Sequence, residues 1–73
     1  MNRKIPKGLK ILDKEPVMVS NPFSGEVCEL QPDAVAVYDY IKGSEALRQY
    51  EGVREGLDWF KKHEPIAYMK LLD

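Results

Sequence analysis

The chain has 73 residues, of which 44% are hydrophobic and 32% are charged, and its formal net charge is −1. A chain this short forms one small domain that buries only about 60% of its unfolded surface, which excludes a large core and an extended active-site cleft. Its longest uninterrupted apolar run, residues 34–38, is far shorter than the roughly 20 residues of a membrane-spanning helix. We therefore expect no membrane segment.

The N-terminal sequence and the cysteine content both favour a cytoplasmic protein. Residues 1–12, MNRKIPKGLKIL, contain neither the apolar core of a signal peptide nor a small-residue cleavage site. Cys28 is the only cysteine, which excludes an internal disulfide and fits a reducing compartment. We expect the chain to be monomeric.

The first part of the chain is a basic arm. Residues 1–14 carry five basic side chains and one acidic one, whereas residues 15–39 carry five acidic side chains and no basic one. Pro6 and Gly8 keep the arm from forming a regular helix. Such an arm either seeks an acidic partner or is a solubilising, partly disordered terminus. Its apolar residues, which predict that its second half docks on the domain, are Ile5, Leu9, Ile11 and Leu12.

Residues 16–30 predict a β-hairpin. The segments PVMVS and EVCEL are short and rich in β-branched residues, and the turn sequence NPFSG separates them. In this turn, Pro22 fixes φ at the first corner and Asn21 accepts hydrogen bonds from the backbone two residues on. Gly25 is expected to adopt the left-handed conformation that closes the loop.

The same turn has the spacing of a zinc knuckle, Cys-Pro-x-Cys-Gly, with Asn21 and Ser24 at the cysteine positions. A structural zinc site requires four Cys or His ligands, and this chain has one of each. Cys28 and His63 completed by carboxylates remain an alternative. We expect no metal or other cofactor, and a turn that is purely structural.

Residues 32–72 are predicted to be helical. Pro32 suits the first position of a helix, Asp33 favours its positive end, and Gly43 is expected to end it. Ser44 is expected to cap a second helix that runs to His63. The predicted core stripe of the first helix is Ala34, Val37, Tyr38 and Ile41, and that of the second is Ala46, Tyr50, Val53, Leu57 and Phe60.

Gly52 and Gly56 lie inside the second helix, where each should cost about 1 kcal/mol relative to alanine. Close approach of another backbone would offset this cost, either the first helix or a partner protein. Trp59 is expected to be half-buried against the hairpin or the arm, and Pro65 starts a last short helix. The predicted fold is a single α+β domain, with a small two-stranded antiparallel β-hairpin packed on two or three α-helices and a basic N-terminal arm.

The sequence does not favour an enzyme. Carboxylate pairs such as Glu51 with Glu55 lie on helix faces with basic neighbours, where a solvated surface is the usual outcome. A nucleophile pair of Cys28 and His63 would require an electropositive site, but Cys28 has acidic neighbours. No glycine-rich phosphate loop is present. We expect a non-enzymatic binding protein.

A protein partner fits the sequence better than direct binding to nucleic acid. The basic residues have no interleaved aromatic residue, and the acidic segment that follows would repel phosphate. In a protein complex the arm would supply steering and Phe23 an anchor, although Phe23 could equally fold back over the hairpin. The predicted partner-binding residues are Arg3, Lys4, Lys7, Lys10 and Phe23.

Residues 20–73 resemble a group of small bacteriophage proteins. The similarity lies in the NPFSG turn, the helix end YDYIKG and the segment GLDWF. The resemblance extends to phage-encoded transcription regulators of similar length. It implies a protein that acts in the cytoplasm of the infected bacterial host, where it binds host RNA polymerase and inhibits transcription initiation or acts as an anti-terminator. The alternative is a phage protein that binds nucleic acid or another host factor.

Overall fold

The computed structural model describes residues 3–72 and confirms the predicted α+β fold. Two strands form one antiparallel hairpin, and three helices follow it along the chain. The molecule measures 30 × 28 × 20 Å. The elements are β1 (Val17–Ser20), β2 (Val27–Leu30), α1 (Pro32–Ala46), α2 (Tyr50–His63) and α3 (Pro65–Leu71).

The hairpin turns one face to the helices. Val17 pairs with Leu30 and Val19 with Cys28, and these four side chains pack on or within the core. Successive side chains of a strand point to opposite faces, so Met18 lies on the outer face, where it is exposed. β2 packs on α3 and on α1, so the hairpin covers one side of the helices.

The core lies between the inner face of the hairpin and the three helices. The predicted stripe of α1 is confirmed, because Ala34, Val37 and Ile41 are buried and Tyr38 packs against them. The apolar residues of the core are Leu30, Ala34, Val35, Val37, Ile41, Trp59, Phe60, Ala67 and Leu71.

The prediction that Gly43 ends α1 and that Ser44 caps the next helix is wrong. The Leu47 N–H donates to the Gly43 carbonyl at 3.1 Å, so the helix continues, and Ser44 is buried inside it. α1 ends at a Schellman motif, in which Gln49 N–H donates to the Ser44 carbonyl (2.8 Å) and Arg48 N–H to the Glu45 carbonyl (3.1 Å).

Arg48 occupies the position in this motif that usually holds glycine. Its φ is 57°, in the left-handed region that disfavours residues with a Cβ. This turn separates α1 from α2, so the predicted long second helix begins only at Tyr50. Ala46 and Tyr50, both predicted to be core residues, are exposed because the break turns them away from the core.

Gly52 and Gly56 lie against α1, which confirms internal packing as the reason for the two glycines. A Cβ at Gly56 would overlap the side chain of buried Ile41, and one at Gly52 would lie 2.5 Å from Ser44 Oγ and 2.9 Å from the Tyr40 hydroxyl. The two glycines therefore permit α1 and α2 to pack closely.

The arm lies on the domain, although its contacts differ from those predicted. Ile5 and Leu9 pack against the core, whereas Leu12, also predicted to dock, is 84% exposed. Pro6 and Leu9 close a tight turn, with Leu9 N–H donating to the Pro6 carbonyl at 3.4 Å and Gly8 at φ 87°. The arm thus has a defined path as far as Leu9.

Within residues 3–72, none of the helices has the length and apolar character that crossing a membrane requires.

Candidate protein-binding surface

The tip of the hairpin holds Phe23 away from the body of the domain. The Asn21 side-chain oxygen accepts hydrogen bonds from the backbone N–H groups of Phe23 (2.8 Å) and Ser24 (3.3 Å). The Gly25 N–H donates to the Asn21 carbonyl at 2.8 Å, with Gly25 at φ 78°. These bonds confirm the predicted roles of Asn21 and Gly25, and they leave the Phe23 side chain 97% exposed.

A further hydrogen bond fixes the tip relative to the helices. Asn21 Nδ2 donates to the Lys70 carbonyl at 2.9 Å, in the last turn of α3. Carbonyls of the last helical turn have no partner within the helix, so this bond satisfies one of them. Asn21 thus shapes the turn and also attaches it to α3, which makes Phe23 a side chain on a fixed backbone.

A groove of about 250 Å³ lies beside Phe23, and we call it the tip groove. The hairpin tip, α1, α2 and the C-terminal end of α3 all contribute to its walls, in which polar and apolar surface are about equal. Its apolar lining residues are Pro22, Phe23, Ile41, Val53, Leu57, Leu71 and Leu72, and its polar ones are Asn21, Lys42 and Glu45.

The apolar surface extends beyond the tip groove along α2. Val53 and Leu57 also line a shallower depression beside Tyr50, whose side chain is exposed. Lys42 and Glu45 also line the tip groove, with Lys42 Nζ 3.6 Å from Glu45 Oε1. Exposed aromatic and apolar side chains beside charged ones are found together at protein-binding surfaces.

Sequence analysis identified Phe23 in this surface but not the groove beside it. Leu72 reaches the groove from the C-terminal end of α3, and the turn at Arg48 sets where α2 begins. Neither event has a signal in local apolar periodicity.

Arg3, predicted to bind a partner, forms intramolecular ion pairs with two acidic residues. Its Nε donates to Asp33 Oδ2 at 2.9 Å and its Nη2 to Asp33 Oδ1 at 3.0 Å, and its backbone N–H also donates to Oδ2 at 3.0 Å. Nη1 donates to Glu64 Oε2 at 2.8 Å and to the His63 carbonyl at 3.1 Å. Nearly all donors of this guanidinium are therefore used internally.

The Trp59 ring completes the site around Arg3. The guanidinium carbon lies 4.9 Å from the ring centroid, a cation–π distance, and Trp59 Nε1 donates to the Lys4 carbonyl at 2.7 Å. Trp59 is buried rather than half-buried as predicted, because the arm covers it. We call the set of Asp33, Glu64, the His63 carbonyl and the Trp59 ring the Arg3 cage.

Their pairing shifts the pKa values of Arg3 and Asp33 in the directions expected of a tight ion pair. The hydrogen bond from Arg3 lowers the pKa of Asp33, against the effect of burial, which raises it. The hydrogen bond to Asp33 raises the pKa of Arg3 above its ordinary value. Both groups are therefore charged at neutral pH.

The remaining predicted arm residues, Lys4, Lys7 and Lys10, are exposed. Two of them have acidic neighbours. Glu55 and Asp58 line the same groove as Lys4, and Asp13 and Asp39 line the same groove as Lys10. The local field of the arm is thus weaker than its sequence charge indicates.

The knuckle-like turn uses its polar side chains for hydrogen bonds. Ser24 Oγ accepts a hydrogen bond from the Glu26 N–H at 3.2 Å, in addition to the bonds of Asn21. Cys28 is half-buried on the inner face of the hairpin, packed on the core. Among the described residues, no three His, Cys, Asp or Glu side chains converge as a metal site would require.

Comparisons of the chain with protein-family models, with curated proteins and with solved structures found no match.

Proposed function

We propose that this protein is a non-enzymatic binding module that attaches to a protein partner through the hairpin tip and the tip groove. The observation that carries the proposal is Phe23, an aromatic side chain 97% exposed on a backbone fixed by Asn21. Exposing a phenyl ring in water is unfavourable, and a pre-ordered aromatic anchor loses little conformational entropy on binding. An aromatic anchor next to a groove with apolar and polar walls is an arrangement from which interface hot spots are built.

We propose bacterial RNA polymerase as the partner, in the cytoplasm of an infected host, with inhibition of initiation or anti-termination as the outcome. This step rests on the resemblance of residues 20–73 to small phage proteins. The position of the resembling segments supports it. The NPFSG turn forms the tip, YDYIKG contributes Ile41 and Lys42, and GLDWF contributes Leu57, so all three segments reach the tip groove.

The arm has a secondary role in this proposal. Lys4, Lys7 and Lys10 are exposed on an arm that is held in place at both Arg3 and Leu9. Exposed charges near an interface raise the association rate and its salt dependence more than they raise affinity. We assign these lysines to steering and exclude Arg3 from that role, since its charge is paired within the chain.

The same three lysines favour one alternative, a phage protein that binds nucleic acid or another host factor. The affinity of such binding to free DNA or RNA would fall steeply with salt. In a plot of the logarithm of the binding constant against the logarithm of the salt concentration, each phosphate contact contributes a slope of about −0.7 to −0.9. The acidic neighbours of Lys4 and Lys10 weigh against this alternative.

Capture of polymerase from a bacterial lysate by tagged wild-type protein is the experiment that distinguishes these proposals. We expect polymerase subunits to be recovered by the wild type and by Lys7→Ser, and to be lost with Phe23→Ala. Recovery of no polymerase by the wild type would contradict the proposal. A gel shift of naked DNA or RNA that disappears when the three lysines become serine would favour the alternative.

A further inference from the structure

The Arg3 cage is built like a recognition site for a peptide. Two carboxylates, one backbone carbonyl and one aromatic face converge on a single guanidinium, and the side chain of Asp33 is only 4% exposed. The next residues continue the pattern, since the Lys4 carbonyl accepts the Trp59 indole N–H and Ile5 packs on the core. An extended segment with a charged anchor and apolar side chains is bound in this way in peptide grooves.

The arm that occupies this site has, over its described residues, no regular secondary structure of its own. Residues 3–16 contain no helix or strand, and their one turn is closed by a hydrogen bond of 3.4 Å. All side-chain hydrogen bonds of Arg3 join it to residues at least 30 positions away. The arm is thus a ligand attached to its own receptor by the following segment.

That connecting segment, residues 10–16, is weakly held. Within the described chain it forms no hydrogen bond or ion pair with the body, and every residue in it except Ile11 is exposed. Leu12 is exposed, although it lines a groove with Ala36 and Tyr40 of α1. Pro16 and its restricting effect on Glu15 favour an extended path where the segment enters β1, so the connection can open without breaking regular structure.

We infer that the Arg3 cage also accepts the arm of a second copy of this chain, giving a dimer in which two copies exchange residues 3–9. Each contact of the cage is preserved in the exchanged form, so the two forms differ mainly in the connecting segment and in the entropy of association. This inference is independent of the polymerase proposal.

The concentration at which exchange occurs follows from the tether. A short flexible segment gives the arm an effective concentration on the order of millimolar at its own cage. The closed monomer therefore dominates at low concentration, and the exchanged dimer becomes populated as the protein approaches millimolar concentration.

Isotope mixing tests the exchange with the wild-type protein. Equal amounts of light and heavy chains are incubated near millimolar concentration, a carbodiimide then joins Lys4 to Glu55 or Asp58, which line one groove, and the dimer is isolated by gel filtration afterwards. Arm-to-body cross-links that combine light and heavy peptides should be as abundant as the same-isotope forms together. A dimer that gives only same-isotope cross-links, or a chain that remains monomeric throughout, overturns the inference.

Charge reversal provides a second test. Arg3→Asp and Asp33→Arg each place like charges in the cage of a closed monomer, but an exchanged heterodimer of the two variants pairs opposite charges in both cages. Mixing them should yield more dimer than either variant alone. A single chain that carries both Arg3→Asp and Asp33→Arg is the control for folding. If both variants are folded, as judged by circular dichroism, and their mixture forms no heterodimer, the exchange does not occur.

Discussion

Replacing Arg3 by alanine should destabilise the domain more than any other single change in the arm. The substitution removes three side-chain hydrogen bonds to carboxylates, one to the His63 carbonyl and the contact with the Trp59 ring. It also leaves the buried Asp33 carboxylate with backbone partners only, the Ala34 N–H at 2.8 Å and the N–H of residue 3 at 3.0 Å. An unpaired buried charge is the most unfavourable product of such a change.

The size of the effect lies between two limits. Breaking a fully buried ion pair costs about 3 to 5 kcal/mol, and an exposed pair contributes about 0 to 1 kcal/mol. The Asp33 side chain is 4% exposed but the Arg3 side chain is 30% exposed, so solvent screens part of the interaction. We expect a loss of about 2 kcal/mol in the free energy of unfolding, which lowers Tm by roughly 8 to 16 °C in a domain of this size.

Urea unfolding followed by circular dichroism and by Trp59 fluorescence measures this loss. Lys7→Ala is the matched control, because Lys7 is exposed and lies outside the cage, and it should change stability by no more than about 0.5 kcal/mol. Arg3→Lys should lie between the two, since lysine keeps the charge but not the paired hydrogen bonds. An Arg3→Ala variant as stable as the Lys7→Ala control would refute the role assigned to the cage.

The same pair predicts how the difference depends on pH. The pKa of Asp33 is lowered in the folded state, so its contribution is complete above the unfolded pKa of about 3.9 and is lost as pH falls through the lower folded value. The stability difference between wild type and Arg3→Ala should therefore be constant near neutral pH and decrease below about pH 4. A difference that is unchanged in acid would show that Asp33 is not the partner that matters.

Three further predictions concern the helices and the turn. Gly56→Ala should lower the free energy of unfolding by up to about 2 kcal/mol, because the added Cβ would overlap Ile41. Gly43→Ala should raise it by up to about 1 kcal/mol, because a Cβ there meets no atom within 4 Å. Equal effects of the two substitutions in urea unfolding would contradict the packing described. Arg48→Gly should raise the free energy of unfolding by about 1 kcal/mol by removing the left-handed strain, and a loss of stability would show that the side chain itself contributes. EDTA should leave the circular dichroism unchanged, since the turn is closed by hydrogen bonds, and unfolding in EDTA would indicate a bound metal.

The hairpin was the most predictable part of the fold because its information is local. Asn21 and Gly25 each specify a conformation of their own backbone or of residues within four positions. The apolar stripe of α1 is equally local, since its period is set by the helix itself. The exposure of Phe23 was left open by the sequence because it depends on what lies under the turn.

The end of α1 shows where local reasoning failed. Gly43 has the residue type of a helix stop, but a helix continues through a glycine when the packing of its neighbours offsets a cost of about 1 kcal/mol. Buried Ser44 and the close approach of Gly52 provide that packing. The stop occurs instead at Arg48, whose left-handed conformation no propensity would predict.

The Arg3 cage was not predictable because its members are distant in sequence. Arg3 pairs with Asp33 and Glu64 across 30 and 61 positions, and nothing in the arm distinguishes Arg3 from its neighbouring lysines. The segregation of charge left open whether the arm would seek an acidic partner or remain a solubilising terminus. It did not indicate that two acidic groups of the same chain pair with Arg3.

Binding of the purified protein to immobilised bacterial RNA polymerase tests the central claim most directly. Truncating an aromatic anchor at an interface costs about 2 kcal/mol or more, so Phe23→Ala should weaken binding by about 30-fold or more, mainly through faster dissociation. Serine at Lys4, Lys7 and Lys10 should instead slow association and reduce its salt dependence. Wild-type protein that does not bind polymerase, or a Phe23→Ala variant that binds as tightly as the wild type, would contradict the account.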